Sequence, residues 1–275
     1  MAFTPYANEL AQNFMLTTAS VTRLTAWYLA WHIGPPGDDG SANEQTVGGD
    51  ADYARQVITF DAASWSSILK KAYCLNNNTI DITPATSTSY TIYGFSIWDS
   101  LTAGNCLLSV DSPSAISVSD VSPVSIIAGK IPVSITREFP TVGWTSVGAR
   151  MILDWLLTTA TVTRPTAWYF APHTADPGDD GSANEVTTGD DPDYVRKVNW
   201  FSAASTSGGT SSINDTDSIW TPGSGANFTA PYVGVWDALT VGNSLFVAAA
   251  VPELIGVAAQ TMSISTNELK IIGRI

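Results

Sequence analysis

The side chains that could do chemistry fall in two stretches of nearly the same spelling. One carries Asp38, Asp39, Glu44, Asp50 and Asp52; the other carries Asp179, Asp180, Glu185, Asp191 and Asp193. Carboxylates gathered on a glycine-containing loop are the donors a hard cation needs, since Ca²⁺ takes roughly six to eight oxygen ligands. The candidate metal residues are therefore Asp38, Asp39 and Glu44, with Asp179, Asp180 and Glu185 in the second stretch. Their spacing does not follow the alternating ligands of an EF-hand loop. A solvated turn accounts for the same residues, with Pro and Gly setting the backbone and Asp and Asn capping neighbouring amides. The turn is the preferred reading. No metal and no cofactor is expected, with Ca²⁺ at the acidic loops as the alternative.

His32 and His173 are the only histidines, and both end an aromatic run. A general base needs a nucleophile or acid within reach. The chain shows no G-x-S-x-G elbow and no H-E-x-x-H pair, so both are read as satisfied, partly buried strand residues. Arg55 and Arg196 each follow a Tyr by two residues and an acidic position by three. They are expected to pair with carboxylates or stack on a ring. One Glu per loop cannot supply the two carboxylates of a glycosidase. No catalytic residue is named, and the chain is not expected to be an enzyme. Ten tryptophans raise sugar stacking as a second chemistry. Trp27 matches Trp168 and Trp98 matches Trp236, and core packing explains a repeated strand tryptophan. Trp31, Trp65, Trp144, Trp200 and Trp220 are freer to line interfaces, and a carbohydrate-binding reading predicts exposed aromatics on the variable loops and glycan binding that is lost on Trp220→Ala.

The elements that position these residues come in duplicate. Residues 16–64 align with 157–205 without a gap at an offset of 141, with 33 of 49 positions identical. A second block, 97–108 against 235–246, follows at an offset of 138. Each copy opens on a helix (7–16 and 148–157), then a strand (25–32 and 166–173), the acidic loop and a further strand (53–60 and 194–201). Short β-branched runs separated by Gly, Pro, Asn and Ser complete it. The fold class is all-β: two tandem homologous β-sandwich or jelly-roll-like domains, each with one short peripheral helix. The expected boundaries are 1–136 for the first repeat, 137–147 for a linker and 148–275 for the second. A doubly wound α/β fold is excluded, because no helices separate successive strands.

Charged residues make up 13% of the 275-residue chain and hydrophobic ones 44%, against about 25% charged in an average soluble domain. So apolar a chain can bury a core, and its poverty in charge suggests surface covered by partner subunits. The net charge of −13 leaves no basic face for nucleic acid. No membrane span is expected either, since the most apolar stretch, 245–259, contains Pro252 and Glu253. The opening MAFTPYANEL has neither a basic region nor an apolar core, so no secretory leader is expected. Cys74 and Cys106 fit no metal spacing and are expected to be reduced.

The string T-R-P-T-A-W-Y-x-x-x-H-T-A-D-P-G-D-D-G-S-A-N-E-V begins at Thr163. The segment around Tyr194, Arg196 and Val198 follows it, then a late W-D-x-L-T-x-G-N-x-L from Trp236. Together they resemble a family of tailed-bacteriophage virion proteins, labelled as tail fibre or structural proteins. The likeness covers 157–201 and 235–246, and more loosely the first copy, which departs at Leu24, Trp31, Gly34 and Pro35. Family members carry one such unit, and this chain carries two. The resemblance implies a non-enzymatic structural protein on the virion exterior, made in the bacterial host cytoplasm, as a tail fibre or adaptor component. A capsid decoration (cement) protein and a carbohydrate-binding receptor-recognition module are the alternatives. Implied partners are other virion proteins, tail or major capsid, and further copies of the chain; no catalytic residue carries over.

Overall fold

The computed structural model describes residues 2–137, 142–204 and 211–272. The first repeat begins with β1 (Ala2–Phe3), α1 (Pro5–Leu16), β2 (Tyr28–His32), β3 (Gln56–Val57), β4 (Ser64–Ser66) and β5 (Lys71–Leu75). It continues through β6 (Ile80–Ile82), β7 (Ser89–Trp98), β8 (Cys106–Ser119), β9 (Val124–Ile126) and β10 (Pro132–Thr136). The second begins with β11 (Gly143–Trp144), α2 (Ser146–Leu157), β12 (Trp168–His173), β13 (Lys197–Asn199) and β14 (Ser211–Ile213). β15 (Ser218–Trp220), β16 (Asn227–Trp236), β17 (Ser244–Val257), β18 (Met262–Ile264) and β19 (Lys270–Ile272) follow.

Each repeat is built on a five-stranded antiparallel sheet, in the order β1-β8-β7-β2-β3 and, equivalently, β11-β17-β16-β12-β13. The register is the same in both, with Tyr28 opposite Trp98 and Tyr169 opposite Trp236. Smaller antiparallel sheets complete each unit: β10-β5-β4 and β6-β9 in the first, β14-β19 and β15-β18 in the second. The all-β class and the tandem pair of homologous units hold. In β2 the residues Leu29, Ala30, Trp31 and His32 are all buried. A central strand covered on both faces loses the in–out alternation of a half-exposed one, which is why this strand reads as a continuous apolar run.

The two helices start alike. Thr4 caps α1 by accepting from the Ala7 N–H, with Pro5 in the first turn, and Thr145 caps α2 by accepting from Gly148 N–H at 3.0 Å. Each capping hydroxyl also donates to the strand alongside, Thr4 to Cys106 O at 2.6 Å and Thr145 to Ser244 O at 2.5 Å. The helices were expected at the periphery. They lie instead at the junction of the repeats, packed on each other and on the other repeat's small sheet, α2 on β4, β5 and β10 and α1 on β14. A twelve-residue helix is marginal alone and needs its apolar face buried, and the partner repeat supplies the cover. One continuous core results, joining Phe14, Trp27 and Leu29 to Trp155, Trp168 and Phe170. Within the segment expected as a linker, Gly143 and Trp144 pair with Val247 and Phe246 of β17, and α2 begins at Ser146. Residues 138–141 lie outside the described residues.

Candidate functional site

The acidic loops turn on left-handed glycines, Gly37 and Gly40 (φ 74° and 69°) and Gly178 and Gly181 (75° and 72°). A Cβ on Gly40 would lie 2.3 Å from Cys106 Sγ, so the loop can lie against β8 only with glycine there. Asp39 Oδ1 accepts from the Ser41 N–H (2.9 Å) and hydroxyl (2.8 Å), and Asp180 does the same with Ser182 (3.0 and 2.8 Å). Asp38 is exposed, and Asp179 reaches across to the first repeat. Asp50 and Asp191 are buried acceptors: Asp50 binds the Asp52 and Ala85 N–H groups and the Tyr90 hydroxyl, Asp191 the Asp193 and Gly223 N–H groups. Glu44 and Glu185 turn away to the arginines. No group of three or more His, Cys, Asp or Glu side chains stands ready for a metal among the described residues. The loops cap their own turns rather than converge.

Arg55 and Arg196 do both things expected of them. Arg55 makes a two-pronged pair with Glu44 (Nε–Oε1 and Nη2–Oε2, both 2.8 Å) and donates through Nη1 to Ser100 O (2.9 Å) and Ala103 O (2.6 Å). Its guanidinium lies 3.8 Å from the centre of the Trp98 ring. Arg196 repeats the set with Glu185 (2.7 Å twice), Ala238 O, Val241 O and the Trp236 ring at 3.6 Å. Tyr53 and Tyr194 donate their hydroxyls to the same carboxylates at 2.6 and 2.7 Å. Burial pushes the Glu44 and Glu185 carboxyls up, but the arginine and tyrosine bonds win and hold both below the usual range. The carboxylates are ionised and fully used.

His32 is fully buried; its Nδ1 lies 2.7 Å from Ala42 O and its Nε2 2.7 Å from Ser96 Oγ. A carbonyl can only accept, so Nδ1 carries the proton. His173 is equally buried, with Nδ1 2.8 Å from Ala183 O. Burial, the largest influence, lowers both imidazole pKa values, so both are neutral at pH 7. His32 faces one hydroxyl, that of Ser96, which is fully buried and also accepts from the Trp98 indole; His173 faces no nucleophile among the described residues. Cys74 and Cys106 are unpaired and buried, and burial pushes each thiol up to about 12.

The largest network is at the junction, and it is reciprocal. Arg23 donates to the last carbonyls of α2 and just beyond: Asp154 O, Trp155 O, Thr158 O and Ala160 O. Arg164, at the matching position, donates to Asn13 O, Phe14 O and Thr17 O at the end of α1. A cation here satisfies orphan carbonyls and meets the negative end of the helix dipole. Trp27 Nε1 donates to Leu156 O and Trp168 Nε1 to Met15 O, both at 2.7 Å. Asp154 accepts from Ala63 N–H and Asn13 from Ala204 N–H. Phe14 and Trp155, equivalent residues, stack with centroids 4.4 Å apart and planes 15° apart. A residue touching its own counterpart is the mark of a two-fold axis, so the chain is a covalent pseudo-dimer. The second acidic loop also reaches the first repeat: Asp179 binds Lys70 (2.7 Å) and Trp65 Nε1 (3.3 Å), and Arg137 donates to Gly178 O (2.7 Å).

Arg23, Arg164, Asn13 and Asp154 were not singled out from the sequence. The signal was the repeated L-T-T-A-x-V-T-R at 16–23 and 157–164, whose identity exceeds what a surface connection requires. The tryptophans divide differently from expectation. Trp31 and Trp144 are core residues, Trp65 lies in the junction, and Trp200 alone of the five is exposed, at 41%. Trp220, the residue chosen to test sugar stacking, is 1% exposed and donates to Val195 O. It sits inward on β15 and offers no platform. No helix is long and apolar enough to cross a membrane among the described residues.

No curated protein matches the chain. The family model described as podophage GP4 fiber I protein gp80 matches residues 2–134 and, a second time, residues 143–272. Both halves of the pseudo-dimer are thus copies of one family unit, and the chain belongs to the podophage GP4 fiber I protein gp80 family.

Proposed function

We propose that the chain is a non-enzymatic structural component of a podophage tail fibre, carried on the virion exterior and joined there to other tail proteins and to further copies of itself. The match of the fibre family to both repeats carries this reading. The use of the reactive side chains supports it. The repeated carboxylates cap turns or bind arginine, the histidines are neutral and buried, and the thiols are buried and unpaired. The outer parts of the long β7–β8 and β16–β17 hairpins carry exposed apolar side chains, Tyr93, Val251 and Ile255 among them. Such ribbons suit contacts between subunits. Unpaired cysteines agree with synthesis in the host cytoplasm.

Antibodies to the purified protein, followed by gold-labelled negative-stain imaging of virions, test the reading. Label confined to the tail is the expected outcome. Label spread over the head would replace it with capsid decoration, and absence from purified particles would remove the virion role altogether.

A further inference from the structure

The two repeats differ at one buried position that their symmetry makes conspicuous. In the first, Ser96 of β7 is fully buried, and its hydroxyl sits 2.7 Å from His32 Nε2 and 2.7 Å from Trp98 Nε1. With Nδ1 of His32 protonated, Nε2 offers a lone pair, so the hydroxyl donates to the histidine and accepts from the indole. At the offset of 138 the equivalent residue is Gly234, and the imidazole and indole remain as His173 and Trp236. Their Nε2 and Nε1 atoms have no hydrogen-bond partner among the described residues, nor does Ser244 Oγ. These residues are 0%, 5% and 1% exposed, so bulk solvent does not reach them.

Two of the three atoms meet at one place, and the first repeat places the third beside them. A Cβ on Gly234 would lie 2.7 Å from His173 Nε2 and 2.8 Å from Trp236 Nε1, so both ring nitrogens turn toward the same spot beside the glycine. Ser244 stands where the first repeat has Cys106. A Cβ on Gly40 would touch both Cys106 Sγ (2.3 Å) and Ser96 Cβ (3.3 Å), and one on Gly181 would touch Ser244 Oγ (2.3 Å). The Ser96 side chain and the residue at position 106 or 244 thus share the floor of the acidic loop.

The chemistry of the three atoms restricts what can join them. Because Ala183 O takes the proton of His173 Nδ1, the Nε2 atom can only accept, and the indole N–H can only donate. A metal cation would face the indole proton, and an anion would face the imidazole lone pair. Only a neutral group that donates and accepts at once serves both. Buried polar atoms are rarely left alone, and internal waters typically hold about three partners. We propose that the second repeat binds a single internal water molecule, which donates to His173 Nε2, accepts from Trp236 Nε1 and takes Ser244 Oγ as its third partner. Solvent supplies there the oxygen that Ser96 supplies covalently in the first repeat.

A crystal structure of the full chain, at a resolution that places ordered solvent, tests this directly, alongside the Ser96→Gly variant. The native map is expected to hold one oxygen peak about 2.6–3.2 Å from both His173 Nε2 and Trp236 Nε1, the ordinary hydrogen-bond range, and none between His32 and Trp98. Ser96→Gly is expected to gain a second peak between His32 and Trp98. Rings closed on Gly234 without a peak in the native map would overturn the proposal whatever the variant shows. Should Ser96→Gly fail to fold, the native map alone decides.

Discussion

Arg55 and Arg196 each bind a carboxylate with two prongs, two carbonyls and an indole face, the arginines buried and the glutamates partly so. Removing one partner of such a pair strands a buried charge, which costs about 3–5 kcal/mol. Arg196→Ala is therefore expected to lower the unfolding free energy by that order in urea titration. Arg196→Lys keeps the charge but loses the fork and the stacking, and should fall between the two. The histidines set the pH response. Their folded-state pKa values lie below the ordinary value because burial disfavours the cation. The unfolded chain takes up protons below about pH 6.5 while the folded one does not. Their stabilisation is complete above that pH and drains away as pH falls, before the depressed carboxyls of Glu44 and Glu185 lose theirs lower still. Urea midpoints at pH 7.5 and 5.5 should differ, the lower pH being less stable; equal midpoints would contradict the assignment. That each arginine pairs with a carboxylate and stacks on a ring was legible from the sequence, but the partner was not: it is the loop Glu eleven residues before, rather than the acidic residue three before. The fate of Trp220 was not, because a lone tryptophan in a serine-rich segment carries no period that tells inside from outside.

The helices are the elements whose role the sequence concealed. Their helical character followed from spacing. Their location did not, because an apolar face says that something covers it and not which sheet does so. The exchange puts the end of each helix under the other repeat's arginine. Arg164→Ala should loosen the end of α1, a segment of the first repeat, and cost about 1–2 kcal/mol, the scale of a lost charged hydrogen bond and dipole contact. Hydrogen exchange would show the loss at Asn13–Thr17, some 150 residues away in sequence. Phe14→Ala empties half of the stacked pair on the pseudo-two-fold axis and should cost about 3–5 kcal/mol. Thermal denaturation of the two variants would rank them, the phenylalanine substitution being the more severe. By contrast Lys70→Ala removes only a half-exposed ion pair, and a change under about 1 kcal/mol is expected.

Over the whole molecule, two family units share one core, and neither keeps its helix to itself. Calorimetry should therefore show a single transition in which calorimetric and van't Hoff enthalpies agree. Two resolved transitions would mean that the repeats melt as separate domains. Class and duplication were legible from the sequence: turn residues at short intervals gave the first and a gapless internal alignment the second. The pseudo-dimer was hidden, because its contacts join residues about 90–190 apart and leave no local pattern. The repeats have also diverged in the core, Ser96 against Gly234 and Cys106 against Ser244.

The exchanged helices bear on what the gene can survive. A crossover between its two similar halves would delete one repeat and leave a product with one helix, one main sheet and no partner for either. The groove that takes Phe14 or Trp155 would then be filled only when two such products met. Within the present chain that meeting is intramolecular and indifferent to dilution; after the deletion, folding would follow the second power of expression level. The fused gene frees the fold from abundance.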